Sequence, residues 1–108
     1  MTQDVAKVAE IVAAAGITIR EIGGNCPVQA KGTFDDRAFY FRARGDGWQF
    51  HVAADDAGIF GPEAWVIERD YGSGFDASWM PQHEAIGFIC GGVAAYRAHL
   101  QSSAGREG

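Results

Sequence analysis

The chain has 108 residues, of which 47% are hydrophobic and 21% are charged, and its formal net charge is −5. This length suits one hydrophobic core, so we predict a single domain over residues 1–108 with a frayed polar tail from about residue 102. The negative charge excludes a general nucleic-acid binder, because duplex binding draws its affinity from Lys and Arg on phosphates. The longest apolar run, Ala85 to Tyr96, is shorter than the roughly 20 residues of a membrane span, so we predict no membrane insertion.

The first third of the chain begins with a helical pattern. Val5, Val8 and Val12 recur at helical spacing, and the following Gly16 is a natural helix stop. We therefore predict a short amphipathic N-terminal helix. The β-branched segment from Ile17 to Ile22 then favours a short first strand.

The middle of the chain predicts a β-meander. The runs Val28–Phe34, Arg37–Arg44 and Trp48–Ala53 alternate in side-chain character, which places one set of side chains in a core and the other outside. Asp35-Asp36 lies between the first two runs and Gly45-Asp46-Gly47 between the last two. We expect Asp46-Gly47 to supply the positive-φ residues of a tight hairpin.

The last third combines one more strand with a long helix. Glu63–Tyr71 alternates like a strand, and Pro81 suits the first position of a helix that ends near Leu100. One stripe of this helix carries its larger side chains: Ile86, Ile89, Cys90, Val93, Arg97 and Leu100. The neighbouring stripe consists of small residues and predicts a close approach by another element or by a second copy: Gly87, Gly91, Ala94 and Ala98.

These elements define an α+β fold. We predict an antiparallel sheet of about five short strands, arranged as a meander and covered on one face by an N-terminal and a C-terminal helix.

Charge is distributed unevenly along the chain. Residues 55–84 contain seven acidic residues and one basic residue, whereas the remainder has nearly balanced charge. Acidic side chains interleaved with aromatic ones attract a basic partner and then hold it through desolvated anchors. The predicted partner-binding residues are Asp55, Asp56, Glu63, Glu68, Asp70, Tyr71, Asp76 and Trp79. The alternative is a solvated acidic loop whose aromatic residues cover the edge of the core.

A second set of residues is predicted to share the outward face of the meander: Gln29, Lys31, Tyr40, Arg42, Arg44, Gln49 and His51. A basic face with an aromatic residue is one way to bind single-stranded nucleic acid. The overall negative field opposes a polyanion, so we expect the solvent side of a half-buried sheet and no direct nucleic-acid binding.

Candidate catalytic groups show no motif. Cys26 and Cys90 stand in no C-x-x-C arrangement, and whether they pair is left open. The histidines, His51 among them, lack metal-ligand spacing, so we predict neither metal, cofactor nor enzymatic activity. The alternative is a small enzyme or ligand-binding domain with a pocket between sheet and helices near Cys26, His51 and Tyr40. The absence of a signal-peptide pattern gives the expectation of a cytoplasmic protein, either monomeric or weakly dimeric.

In size, acidity and Ala/Gly/Arg/Asp-rich usage, the chain resembles the small accessory proteins of proteobacterial phages and mobile elements. Anti-CRISPR proteins are the best characterised class of that type. The resemblance extends over the whole chain and rests on no specific motif. It implies a partner with a basic nucleic-acid-binding surface, such as a CRISPR effector complex, which the protein would inhibit by occupying that surface.

Overall fold

The computed structural model describes residues 10, 12–23, 28–72, 77 and 80–107, with side chains up to residue 102. Five strands and one long helix make up this part of the chain. They are β1 (Ile17–Gly23), β2 (Val28–Phe34), β3 (Arg37–Arg44), β4 (Gly47–Ala53), β5 (Trp65–Asp70) and α1 (Gln82–Glu107).

The strands form one antiparallel sheet in the order β1-β2-β3-β4-β5. Every neighbour in the sheet is also a neighbour in sequence, which confirms the predicted meander and the α+β class. Because side chains alternate along each strand, the register places Phe41 beside Phe50 on one face and Tyr40 beside His51 on the other. The face that carries Phe41 is called the inner face below, and the opposite one the outer face.

The two short hairpin turns use positive-φ residues in different ways. Asp35 and Asp36 have φ of 50° and 61°, a left-handed pair that Asp tolerates and that a type I′ turn requires. In the next turn only Gly45 has a positive φ, of 65°. The expectation that Asp46-Gly47 supplies these angles is wrong, since Gly47 is already the first residue of β4. A Cβ atom at Gly47 would lie 2.9 Å from the carbonyl oxygen of Arg69, so glycine permits the close approach of β5 there.

The inner face is covered by α1 and holds the main core. Phe39, Phe41 and Phe50 are fully buried there. Trp48 stacks on Phe88 of α1 with ring centroids 5.0 Å apart. Burial of these aromatic rings stabilises the fold through the hydrophobic effect and through ring–ring contacts.

The helix approaches the sheet through a glycine that the predicted stripes did not include. A Cβ atom at Gly92 would lie 2.7 Å from the ring of Phe50, closer than real Cβ contacts. The buried line of α1 contains Ala85, Ile89, Gly92, Val93 and Tyr96. The predicted large stripe is therefore only partly correct: Ile89 and Val93 are buried, whereas Leu100 is 41% exposed.

The small-residue stripe faces outward in the described structure. Gly87, Gly91, Ala94 and Ala98 are exposed. A Cβ atom at Gly87 or Gly91 would meet nothing within 4 Å, so no described element makes the predicted close approach there. Pairing of this stripe with a second copy stays a prediction. The helix also continues to Glu107, beyond its predicted end near Leu100.

The N-terminal helix is described only as a short piece around Val12. Val12 is 8% exposed and belongs to the main core together with Ile17. The rest of the predicted N-terminal helix lies outside the described residues. Among the described helices, none has both the length and the apolar character to cross a membrane.

Arg97 connects α1 to the turn between β2 and β3 and to the segment before β1. Arg97 donates two hydrogen bonds to the carboxylate of Asp35, at 2.8 and 3.0 Å, and one to the carbonyl oxygen of Ala15, at 2.9 Å. The hydrogen bond from Arg97 lowers the pKa of Asp35 below its usual value of 3.8, and the same contact raises the pKa of Arg97. Arg97 thus has an anchoring role that the helical spacing alone did not reveal.

Candidate binding surface

The outer face carries two rows of side chains that cross the sheet from β2 to β5. Lys31, Tyr40, His51 and Val66 stand in register as one row. The second row lies toward the β3–β4 turn and consists of Gln29, Arg42, Gln49 and Glu68. The register confirms that the polar and basic residues predicted for the outward face share one surface. In the second row, Gln49 donates a hydrogen bond to Glu68 at 2.9 Å.

The loop between β4 and β5 folds back over the first row. Ile59 in this loop is only 2% exposed and packs with Ala38, Tyr40 and Ala53 in a second, smaller core. Asp55 shapes the loop, because its carboxylate accepts a hydrogen bond from the backbone N–H of Gly58 at 3.0 Å and caps a short 3-10 turn. The loop therefore covers part of the outer face at the end of the sheet that carries the β2–β3 turn. The other end, which carries the β3–β4 turn, is left open.

Phe60 is the exposed aromatic residue of this surface. Its side chain is 69% exposed, while its ring contacts Tyr40 at 4.9 Å and His51 at 5.6 Å between centroids. Phe60 was not among the aromatic residues predicted to bind a partner, which were Tyr71 and Trp79. A local signal is the apolar pair Ile59-Phe60 in a loop bounded by Gly58 and by Gly61-Pro62, but this pair does not show which of its two residues is exposed.

His51 helps to hold the loop in place. Its Nδ1 lies 3.1 Å from the carbonyl oxygen of Ile59, and its Nε2 lies 3.3 Å from Oε1 of Gln49. Because a carbonyl oxygen only accepts, Nδ1 carries the hydrogen of the first contact. The ring is thus hydrogen-bonded to the loop backbone and lies close to Gln49 of its own strand, β4.

The alternative pocket between sheet and helices is wrong as predicted. His51 and Tyr40 both lie on the outer face, which α1 does not cover. Cys26 lies outside the described residues. Cys90 is a free, half-buried thiol whose pKa is raised by burial, which disfavours a reactive thiolate. In the described ranges, no three His, Cys, Asp or Glu side chains gather where they could hold a metal ion.

The predicted partner-binding acids occupy two separated positions. Asp55 and Asp56 follow the end of β4, where Asp56 pairs with Arg20 at 2.7 Å. Glu68 and Asp70 lie at the other end, in register with Gln49 and Gly47 of β4. The antiparallel register explains this separation, because the loop after β4 and the end of β5 lie at opposite ends of the sheet.

The remaining predicted residues divide between exposed, half-buried and undescribed positions. Glu63 is exposed in the loop before β5. Tyr71 is half-buried: its hydroxyl donates to Glu84 at 2.8 Å, and its ring meets Phe88 with centroids 5.8 Å apart. Asp76 and Trp79 lie outside the described residues.

A shallow groove lies between the β3–β4 turn and the end of β5. Arg42, Arg44 and Arg69 line it together with Asp46, Glu68 and Asp70. Three bases and three acids thus line the groove, and their formal charges cancel. Arg42 Nε is buried and has no hydrogen-bond partner among the described residues.

Comparison with known proteins found no matching family model, no matching curated protein and no matching solved structure.

Proposed function

We propose that this chain is a non-enzymatic binding protein that presents an acidic surface with an aromatic anchor to a basic macromolecular partner. The observation that carries the proposal is the position of Phe60. Its ring is 69% exposed in the loop after β4, and the exposed acids Glu63, Glu68 and Asp70 follow it along that loop and along β5 toward the opposite end of the sheet. This set of four residues is called the recognition surface below.

Charge and apolar area contribute to such binding in different ways. Exposed carboxylates create a field that speeds encounter with a positive surface, and salt weakens that field. An aromatic ring with a fixed orientation loses little conformational entropy when it is buried by a partner. Phe60 has such an orientation, because Tyr40 and His51 support its ring from below.

A narrower proposal rests on the resemblance to phage accessory proteins of the anti-CRISPR type. In this form the partner is the basic nucleic-acid-binding surface of a bacterial defence complex, and binding inhibits that complex by exclusion. The net charge of −5 supports the proposal, since a negatively charged protein complements a channel built to hold a polyanion.

The experiment compares two variants that each remove three negative charges. The test variant carries Glu63→Gln, Glu68→Gln and Asp70→Asn. The control carries Glu10→Gln, Glu21→Gln and Asp36→Asn at exposed positions elsewhere. A partner captured from a bacterial lysate is purified, and its association rate with each variant is measured at low and high salt.

We expect the test variant to associate about tenfold more slowly at low salt than the unchanged protein, and the control to change far less. Equal slowing by both variants, or association that is insensitive to salt, would contradict the proposal. For the narrower form, purified CRISPR surveillance complexes are assayed for DNA binding in the presence of each variant. Unimpaired DNA binding at saturating protein removes the defence-inhibitor form alone.

A further inference from the structure

The edge of β5 that is directed away from β4 presents backbone groups in a defined pattern. β5 is the last strand of the sheet, and its register with β4 is continuous from Trp65 to Asp70. The N–H of Tyr71 donates to the carbonyl of Asp46 at 2.7 Å, which shows which residues of β5 direct their backbone groups toward β4. Since alternate residues of a strand direct their backbone groups to the same side, Val66, Glu68 and Asp70 direct theirs away from β4.

A contact made by Arg69 agrees with the outward direction of the Glu68 backbone groups. Its guanidinium donates to the carbonyl oxygen of Glu68 at 2.8 Å, a bond that requires this oxygen to be accessible from outside the ladder. Among the described residues, no strand or loop pairs with the outward N–H groups of Val66, Glu68 and Asp70. These groups form a template on which another strand can add.

The opposite edge of the sheet differs in this respect. The pairing of β1 with β2 is interrupted between Ile19 and Glu21, which leaves Arg20 in a β-bulge. The side chain of Arg20 is drawn to Asp56 at 2.7 Å. Bulges and charged side chains are devices by which natural sheets block strand addition. β5 has no bulge in its pairing with β4, and its mostly acidic charged side chains oppose a second acidic strand but not a basic one.

The charges along β5 indicate which kind of strand would pair with its open edge. The exposed charged residues next to the open edge are three acids, Glu63, Glu68 and Asp70, and one base, Arg69, so the edge is negative overall. Val66 is a 41% exposed apolar residue between Glu63 and Glu68. A second copy of this chain would bring the same acidic residues, and like charges on neighbouring strands are destabilising. An extended segment with Lys or Arg at alternate positions would instead place its cations opposite Glu68 and Asp70.

We propose that β5 binds an extended basic peptide segment of the partner as a sixth strand. The inference rests on the proposed function and adds its recognition mode: backbone hydrogen bonds to Val66, Glu68 and Asp70 supply affinity, and the neighbouring carboxylates select basic side chains. Phe60 lies outside this edge and supplies the aromatic contact.

The test uses an end-capped peptide of eight residues in which lysine and threonine alternate. Two further peptides of equal charge carry N-methyl groups on the backbone. One is methylated on the backbone nitrogen of every lysine, and the other on the backbone nitrogen of every threonine. In an added strand only one of these two sets of N–H groups faces β5. We expect one methylated peptide to lose about tenfold or more in affinity by calorimetry while the other binds like the parent.

A protein variant tests the same edge from the other side. Val66→Pro removes an outward N–H and puts a ring on the edge without breaking a bond to β4, whereas Val66→Thr keeps the backbone donor. We expect Val66→Pro alone to abolish peptide binding, with thermal unfolding showing that it is folded. If it unfolds, protection of the Glu68 and Asp70 amides from hydrogen exchange on adding the parent peptide serves as the readout.

The possible results separate the two proposals. Equal binding of all three peptides would overturn strand addition and leave the acidic surface in place, and failure of every peptide to bind would also overturn strand addition. A dimer in light scattering that Val66→Pro disperses would show that a second copy occupies the edge, which contradicts a basic segment. The recognition surface is tested separately: it fails if neutralising its acids leaves partner association unchanged or slows it no more than the control variant does.

Discussion

The inner and outer faces of the sheet are built from the same alternating strands but are covered in different ways. On the inner face α1 presses Gly92 against the Phe50 ring, and the aromatic residues around it are excluded from water. On the outer face only the loop after β4 packs down, through Ile59, and Phe60 stays exposed above it. The difference indicates that the inner face determines stability, whereas the outer face and the β5 edge carry the exposed groups on which the proposed recognition depends.

The sharpest way to break this comparison is to truncate one phenylalanine on each face. Phe50→Ala removes a fully buried ring and should lower the free energy of unfolding by about 3–5 kcal/mol. Phe60→Ala removes a ring that is 69% exposed and should change it by roughly 0.5 kcal/mol or less. Urea denaturation of the two variants measures both values. Similar losses at the two positions would contradict the division of roles between the faces.

A second prediction concerns the glycine contact between helix and sheet. Gly92→Ala places a methyl group 2.7 Å from the Phe50 ring and should cost about 1–3 kcal/mol through overpacking, despite the better helix propensity of alanine. Gly91→Ala is the matched control, because its Cβ atom meets nothing within 4 Å. The control should be neutral or stabilising by up to about 1 kcal/mol. A stabilised Gly92→Ala variant would show that α1 is not seated on Phe50.

The smallest predicted effect is a pH dependence at the turn that anchors α1. Arg97 lowers the folded-state pKa of Asp35 below 3.8, so the carboxylate contributes stability above the unfolded-state pKa. This contribution is lost as the pH falls through the lowered folded-state value. The ion pair is exposed, so we expect less than about 1 kcal/mol.

The variant Asp35→Asn isolates that contribution, since asparagine also tolerates a positive φ. It should be less stable than the unchanged protein at neutral pH and equally stable well below pH 3.8. Thermal unfolding over this pH range measures the difference. A constant difference at every pH would remove the Asp35–Arg97 contact as its cause.

Most of the sheet could be predicted from sequence because its signals are local. Alternation in β2, β3 and β4 assigned side chains to the correct faces, and Asp35-Asp36 marked a turn at its correct place. The helix face was predicted less well. Its position depends on the fit between Gly92 and Phe50, which are far apart in sequence and show no shared periodicity.

The candidate binding surface was harder to predict for a similar reason. The charge count identified residues 55–84 as acidic, yet it did not show that Asp56 meets Arg20 across the sheet or that Tyr71 reaches Glu84. Phe60 was overlooked because a loop residue has no period from which its exposure follows. Which residues of β5 direct their backbone groups outward also depends on the pairing with β4, and the sequence of β5 alone does not determine that pairing.

Residue-by-residue amide hydrogen exchange in the free protein tests most directly whether the β5 edge is open. The N–H groups of Trp65, Ile67 and Arg69 face β4 and should exchange slowly. Those of Val66, Glu68 and Asp70 should exchange much faster, which gives an alternation along the strand. Uniform protection of all six amides would show that the edge is already paired or covered, and would contradict the account.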